Sequence, residues 1–235
     1  MPPTVTQPIF ARLLEIRRGR SEAFGPSGYF SAIRKQVASG PIAVNRLGLA
    51  GDQQADRQHH GGTEKAVHHY PAEHYSAWQE ALPHRTAPIV VGDFGENFSS
   101  FGLNEGNVCV GDVFRVGGAV LQVSQIRQPC WKLNVRFDVA DMARRVQDSG
   151  RTGWYYRVIE EGEICPDQRL ELIERPHAEW PLSRVLRLLY RDCLDLSELR
   201  NLICLDALAQ GMRELAAKRI ATGLVEDWGK RLSTP

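Results

Sequence analysis

The sequence predicts a mainly β domain followed by a small helical appendage, and three observations carry that expectation. From Phe10 to about Arg175 the chain is a succession of short apolar runs broken by Gly, Pro, Asn and Asp, with few long stretches of helical periodicity. Gly117-Gly118 stands between two of those runs, where a tight hairpin turn needs residues that tolerate positive φ. After Pro176 the composition turns to Leu, Ala and Arg. The expected division is 1–175 for the β domain and 176–235 for three short helices.

Taken in order, the clearest strands are Ala11 to Arg18, Asn107 to Val110, Asp112 to Val116, Ala119 to Ser124 and Arg169 to Ile173. So many strands in one segment suggest a barrel or a sandwich. Two packing helices interrupt them. Pro71 suits a first helical position ahead of AEHYSAWQEAL, and Asp138 suits an N-cap ahead of VADMARRVQDS, which stops at Gly150. In the tail, Leu182 to Arg191, Ser197 to Cys204 and Ala207 to Arg219 read as helices, with Ser197 and Asp206 as caps.

The bulk numbers exclude several classes. In 235 residues, 43% hydrophobic and 24% charged, there is enough apolar material for a real core. Lys and Arg number 29 against 28 Asp and Glu, so no whole-chain field draws polyanions and nucleic acid is a poor partner. The start MPPTVTQPIF lacks a basic then apolar leader, and no run approaches the roughly 18 apolar residues of a membrane span. A cytoplasmic protein that needs no membrane is expected. The five cysteines are odd in number and form no C-x-x-C pair, which argues against a zinc knuckle or a disulfide framework.

Three blocks could carry chemistry. GDQQADRQHHGGTEKAVHHY, from Gly51 to Tyr70, crowds charged, amide and imidazole groups around glycines, and reads equally as a solvated loop or a site. Gly61 and Gly62 would leave backbone N–H groups bare enough to meet an anion. Its histidines, His59, His60, His68 and His69, do not have metal-ligand spacing, because side chains at i and i+1 point apart. In FGENF, Glu96 and Asn97 would place an acceptor and an amide at a loop tip facing a ligand. In SQIRQPCWKLN, Cys130 has Arg127 and Lys132 within a few residues, which favours its thiolate, and Pro129 fixes the chain before it. Such a thiolate serves either as a nucleophile paired with a histidine or as a soft ligand for a metal that brings its own chelator. Spacing does not separate the two.

The motifs in register, G-L-x-G-D at Gly48 to Asp52, H-G-G at His60 to Gly62 with A-V-H-H-Y after it, F-G-E-N at Phe94 to Asn97 and P-C-W-K-L at Pro129 to Leu133, resemble a MOSC domain of the YiiM-like branch. Ser31 to Lys35 resembles that branch's S-A-I-x-K entry motif, and the tail resembles its three-helix appendage. The resemblance implies a closed β-barrel and a molybdenum–molybdopterin cofactor whose metal is held by Cys130. It implies reduction of N-hydroxylated compounds to amines. On that pattern Ser31, Lys35 and Arg127 meet the cofactor's phosphate and pterin, Asp52, His60 and Asn97 line the pocket, and His60 or Lys132 donates protons. A small N-hydroxylated substrate and a separate electron-donating reductase are the expected partners, since no flavin, nicotinamide or iron–sulfur signature is present, and a homodimer is compatible.

Three rival readings stand beside it. MOSC domains have also been regarded as carriers, in which case Cys130 would hold sulfur or cofactor for delivery. Three short helices can form a DNA-binding helix-turn-helix, but Arg184, Arg187, Arg191, Arg200, Arg213, Lys218 and Arg219 are interleaved with Asp192, Asp195, Glu198, Asp206 and Glu214, so no face is clearly cationic. A cysteine hydrolase would need a histidine and an acid near Cys130, and no nucleophile signature surrounds it.

Overall fold

The computed structural model describes residues 9–55 and 61–235. In chain order its strands are β1 (Phe10–Arg18), β2 (Glu22–Ala23), β3 (Phe30–Ser31), β4 (Gln36–Val37), β5 (Ile42–Asn45), β6 (Gly48–Leu49), β7 (Val67–Pro71), β8 (Phe98–Ser100), β9 (Val113–Val116), β10 (Ala119–Ile126), β11 (Trp154–Glu160), β12 (Gly162–Ile164) and β13 (Arg169–Glu174). The helices are α1 (His74–Ala81), α2 (Lys132–Phe137), α3 (Met142–Ser149), α4 (Leu182–Tyr190), α5 (Leu196–Ile203), α6 (Gln210–Thr222) and α7 (Gly229–Leu232), with a 3₁₀ turn at Thr63–Lys65.

Seven strands close a barrel in the order β13-β9-β10-β11-β7-β8-β1, and β1 returns to β13 through Phe10↔Glu171, Ala11↔Leu170 and Arg12↔Arg169. Val116 faces Ala119 across Gly117-Gly118, and Gly117 at φ 53 supplies the left-handed residue that this tight hairpin requires. Every pairing in the ring is antiparallel except β7 with β8. A parallel pair cannot be joined by a hairpin, so the chain makes a crossover through α1 and the GDFGENF loop. That topology brings the loop back over the barrel mouth.

Inward residues of β1, β9, β11 and β13 (Leu13, Ile16, Phe114, Val116, Trp154, Tyr156, Leu170) fill the barrel. β10 is buried on both faces, because the helical tail covers its outer side. The Ala209 amide donates to the Ser124 carbonyl at 2.8 Å, and the Arg157 guanidinium donates to the Ala207 carbonyl at 2.9 Å. Leu182, Val185, Leu189, Leu199, Leu202 and Met212 continue the barrel's own core, each contributing about 1.5–3 kcal/mol by burial. A second core lies beneath α1, α2 and α3, where Tyr70 stacks on Phe94 at 4.0 Å between ring centres, and Leu232 of α7 returns to join it.

Several local expectations are corrected. Pro71 ends β7 and helix α1 begins at His74, because all five residues of VHHYP are buried as a strand. Cys109 makes a single bridge to Pro181, and the segment expected as a strand is a turn clamped by Asp112, which accepts from the Cys109 amide at 2.9 Å. Asp138 does not start α3. It closes α2 in the left-handed conformation at φ 53, a geometry that a short polar side chain tolerates. Gly150 does end α3 in that conformation, as expected. In the tail, Asp195 is the cap: its carboxylate accepts from the amides of Ser197 and Glu198, both at 3.0 Å, and α6 begins after Ala209 without a side-chain cap.

Candidate functional site

Chain segments from opposite ends of the barrel domain meet in one cleft of about 90 Å³. Ser31 and Lys35 enter from the loop around β3, Asp52 from the turn after β6, His68 from β7, and Asn97 from the crossover loop. Arg127, Cys130 and Lys132 come from the segment joining β10 to α2.

Asp52 and Asn97 form the frame. Lys35 Nζ lies 2.5 Å from Asp52 Oδ1 and 2.7 Å from Oδ2, with both side chains shielded from solvent. Asn97 Nδ2 donates to Asp52 Oδ2 at 2.8 Å, and the Gly19 amide donates to Oδ1 at 2.6 Å. Asn97 Oδ1 accepts from the His68 amide at 3.0 Å, so a single amide side chain ties the crossover loop to β7 and to Asp52. Gly95, at φ 73, keeps this loop against Ile33: a Cβ there would stand 2.6 Å from the Ile33 side chain.

The opposite wall is Arg127, Cys130, His68 and Tyr155. Arg127 is 6% exposed and Cys130 8% exposed, so both present their heads only toward the cleft. Arg127 Nη1 and His68 Nε2 are buried with no hydrogen-bond partner among the described residues. Burial is the main force driving the His68 pKa well below the ordinary histidine value, and the Arg127 charge adds to it. The ring is therefore neutral at neutral pH. Tyr155 stands 5.0 Å from it, ring centre to ring centre, and burial raises the pKa of its phenol.

The adjacent histidines point apart, as alternation on a strand requires. His69 turns into the core, stacks on Trp154 at 4.5 Å and meets Ser100 Oγ at 2.9 Å. No group of three or more His, Cys, Asp or Glu side chains placed to hold a metal occurs among the described residues.

Seven of the residues singled out in the sequence therefore share the cleft: Ser31, Lys35, Asp52, Asn97, Arg127, Cys130 and Lys132. Gly61 and Gly62 do not line it; Gly62 is exposed at φ 93 and precedes the turn that delivers Lys65 to the cleft. His59 and His60 lie outside the described residues. Glu96 is a correction. It faces no ligand, is fully buried and accepts from the Tyr75 hydroxyl and, at 2.5 Å, from the Gly92 amide. The sequence reading missed Tyr155, which reaches the cleft only through the folded register that sets it opposite His68. It left His68 unassigned within the four-histidine block.

The donor set fits an anionic cofactor with a soft metal. A buried guanidinium with an N–H unsatisfied among the described residues, three lysines (Lys35, Lys65 and Lys132) and a thiol face one small volume, while the acidic Asp52 is already neutralised by Lys35.

Comparison with known proteins identifies the family and the fold. The MOSC domain model matches residues 56–171, and the YiiM-like, 3-alpha helix domain model matches residues 180–223. The chain is 37% identical to Protein YiiM of Escherichia coli over 93% of its own length and 97% of that protein. It is 42% identical to the Bacillus subtilis protein YflK over 80% of its length and 84% of that protein. The crystal structure of YiiM from Escherichia coli superposes with a TM-score of 0.81 at 32% identity, covering 95% of this chain and 99% of that one. The chain thus belongs to the MOSC-domain family, in the YiiM-like branch that carries a C-terminal three-helix domain.

Proposed function

We propose that this chain is a molybdenum-cofactor-dependent reductase of N-hydroxylated compounds such as hydroxylamines, amidoximes and N-hydroxylated purine bases. The observation that carries the reading is the Cys130 thiol sharing a small cleft with the buried Arg127 guanidinium, one N–H of which lacks a partner among the described residues. MOSC domains are associated in general with molybdenum-cofactor binding. A Gibberella moniliformis protein named "Reductase", 39% identical over 75% of this chain, adds support, although the match covers only 32% of that larger protein.

Bound at the cleft, the cofactor supplies a two-electron redox centre. Cys130 Sγ would hold its metal, and Arg127, Lys132 and the Ser31 hydroxyl would hold its anionic and polar groups. Lys35 and Asn97, pinned by Asp52, fix the opposite wall. Conversion of an N–OH group to N–H takes up two electrons and two protons and releases water. Lys132, in the cleft, and His60 are the proton donors of this proposal. The electrons come from a separate reductase, in a cytoplasmic setting.

The test is expression in a host that makes molybdopterin, with molybdenum measured by elemental analysis in the native chain and in Cys130→Ala. Near-stoichiometric metal in the native chain and its loss in the variant, followed by turnover of an N-hydroxylated substrate with a supplied reductase, is the expected result. Equal loading of both chains would remove Cys130 as the ligand. Loading without turnover would favour a carrier.

A further inference from the structure

Arg231, almost at the other end of the chain, grips the Cys130 loop on both sides. Its carbonyl accepts from the Trp131 amide at 2.7 Å, and its guanidinium donates to the Pro129 carbonyl. The second arm of the guanidinium donates to Gln147 Oε1 of α3 at 2.6 Å. The two peptide units flanking Cys130 are thus bonded to one residue, which is itself anchored to a helix outside the loop.

The surrounding contacts make this a built arrangement. Asn134 Nδ2 donates to the Leu232 carbonyl at 2.8 Å while Asn134 Oδ1 accepts from the Ala143 amide at 2.8 Å. Leu232 is buried in the second core. Further back, Arg219 is 1% exposed and paired with Glu226 at 2.7 Å, and Glu226 also accepts from Trp228 Nε1 at 2.8 Å. This links α6 to the returning segment. Trp228 packs edge-on against Tyr190 of α4 at 5.6 Å.

We propose that Arg231 is a positioning residue for Cys130, and that the C-terminal segment Trp228–Thr234 is the strap through which the helical tail holds the thiol in the cleft. The proposal rests on the reading of Cys130 as the metal-holding residue. A loop on a proline followed by a six-residue helix has few internal constraints, and two hydrogen bonds, one of them charge-assisted, remove most of its remaining freedom.

The experiment measures alkylation of Cys130 by iodoacetamide in the folded, cofactor-free chain, resolved by peptide mass spectrometry with Cys109 and Cys165 as internal references. Because it needs no metal, it reports on Arg231 even if the native chain fails to load molybdenum. Arg231→Met, which keeps the apolar stem, is expected to raise the Cys130 rate about tenfold and leave the reference cysteines unchanged. Arg231→Lys, able to reach one of the two acceptors, is expected to fall between them. In the molybdopterin-competent host, metal content should run in the reverse order, highest in the native chain and lowest in Arg231→Met. A native Cys130 rate in Arg231→Met overturns the proposal. If that variant does not fold, Gln147→Ala cuts the guanidinium's outer anchor instead: a several-fold rise supports the proposal and a native rate overturns it.

Discussion

Lys35 and Asp52 form a bidentate ion pair inside the cleft, and Asn97 completes it from the crossover loop. Residues that sequence reading assigned to a cofactor therefore also hold one another. Asp52→Ala leaves the Lys35 ammonium buried without its counter-charge, and a loss of about 2–4 kcal/mol is expected from denaturant unfolding. In the double variant Lys35→Met/Asp52→Ala the loss should be smaller than the sum of the two single losses. Additive losses would mean that the pair contributes nothing.

Arg127 is expected to separate stability from binding. Its buried Nη1 has no partner among the described residues, so Arg127→Met should alter unfolding stability by no more than about 1 kcal/mol. On the proposed reading, in which Arg127 holds the cofactor's anionic group, the same change should lower molybdenum retention at least about tenfold. Unfolding curves and elemental analysis of one preparation check both halves.

Acid should weaken the fold through His69. Burial drives its pKa down to about 3, so the folded ring is neutral while the unfolded one takes up a proton below the ordinary histidine value. Stability is then fully present above that value and is lost as pH falls toward 3. The stability advantage of the native chain over His69→Gln should shrink by up to about 1.4 kcal/mol per pH unit in that window. Parallel curves for the two chains would contradict it.

Tyr75→Phe tests the corrected role of Glu96. Burial raises the pKa of the Glu96 carboxyl, and the Tyr75 hydroxyl and Gly92 amide are what keep its Oε1 satisfied. A loss of about 1–3 kcal/mol is expected, with cofactor loading unchanged because Glu96 does not line the cleft.

The barrel was legible because short apolar runs and glycine turns are local signals. The Gly117-Gly118 hairpin and the opposed directions of His68 and His69 follow from backbone geometry alone. The FGEN motif shows the limit. Glu96 and Asn97 are neighbours of similar polarity, yet one turns into the core and the other into the cleft, because the Tyr75 and Gly92 partners of Glu96 lie in segments whose placement no local pattern encodes. Helix α2 escaped notice for a related reason: six residues are too few for a periodicity, and its end is set by a left-handed Asp138 that reads equally as the start of the next helix. Arg231 carried no signal at all, since its importance comes from meeting Pro129 and Trp131 from far along the chain.

The ring of strands closes where Phe10 meets Glu171, which constrains the order of assembly. The β9–β10 hairpin can pair through nearby residues, but the seam between β1 and β13 must gather almost the whole domain before any bond at the seam forms, and loop-closure entropy makes that step slow. Until it happens, both strands expose edges that can recruit a second chain. Refolding at high protein concentration should therefore favour aggregates, and changes that weaken the seam register should lower soluble yield more than they lower the stability of molecules already closed.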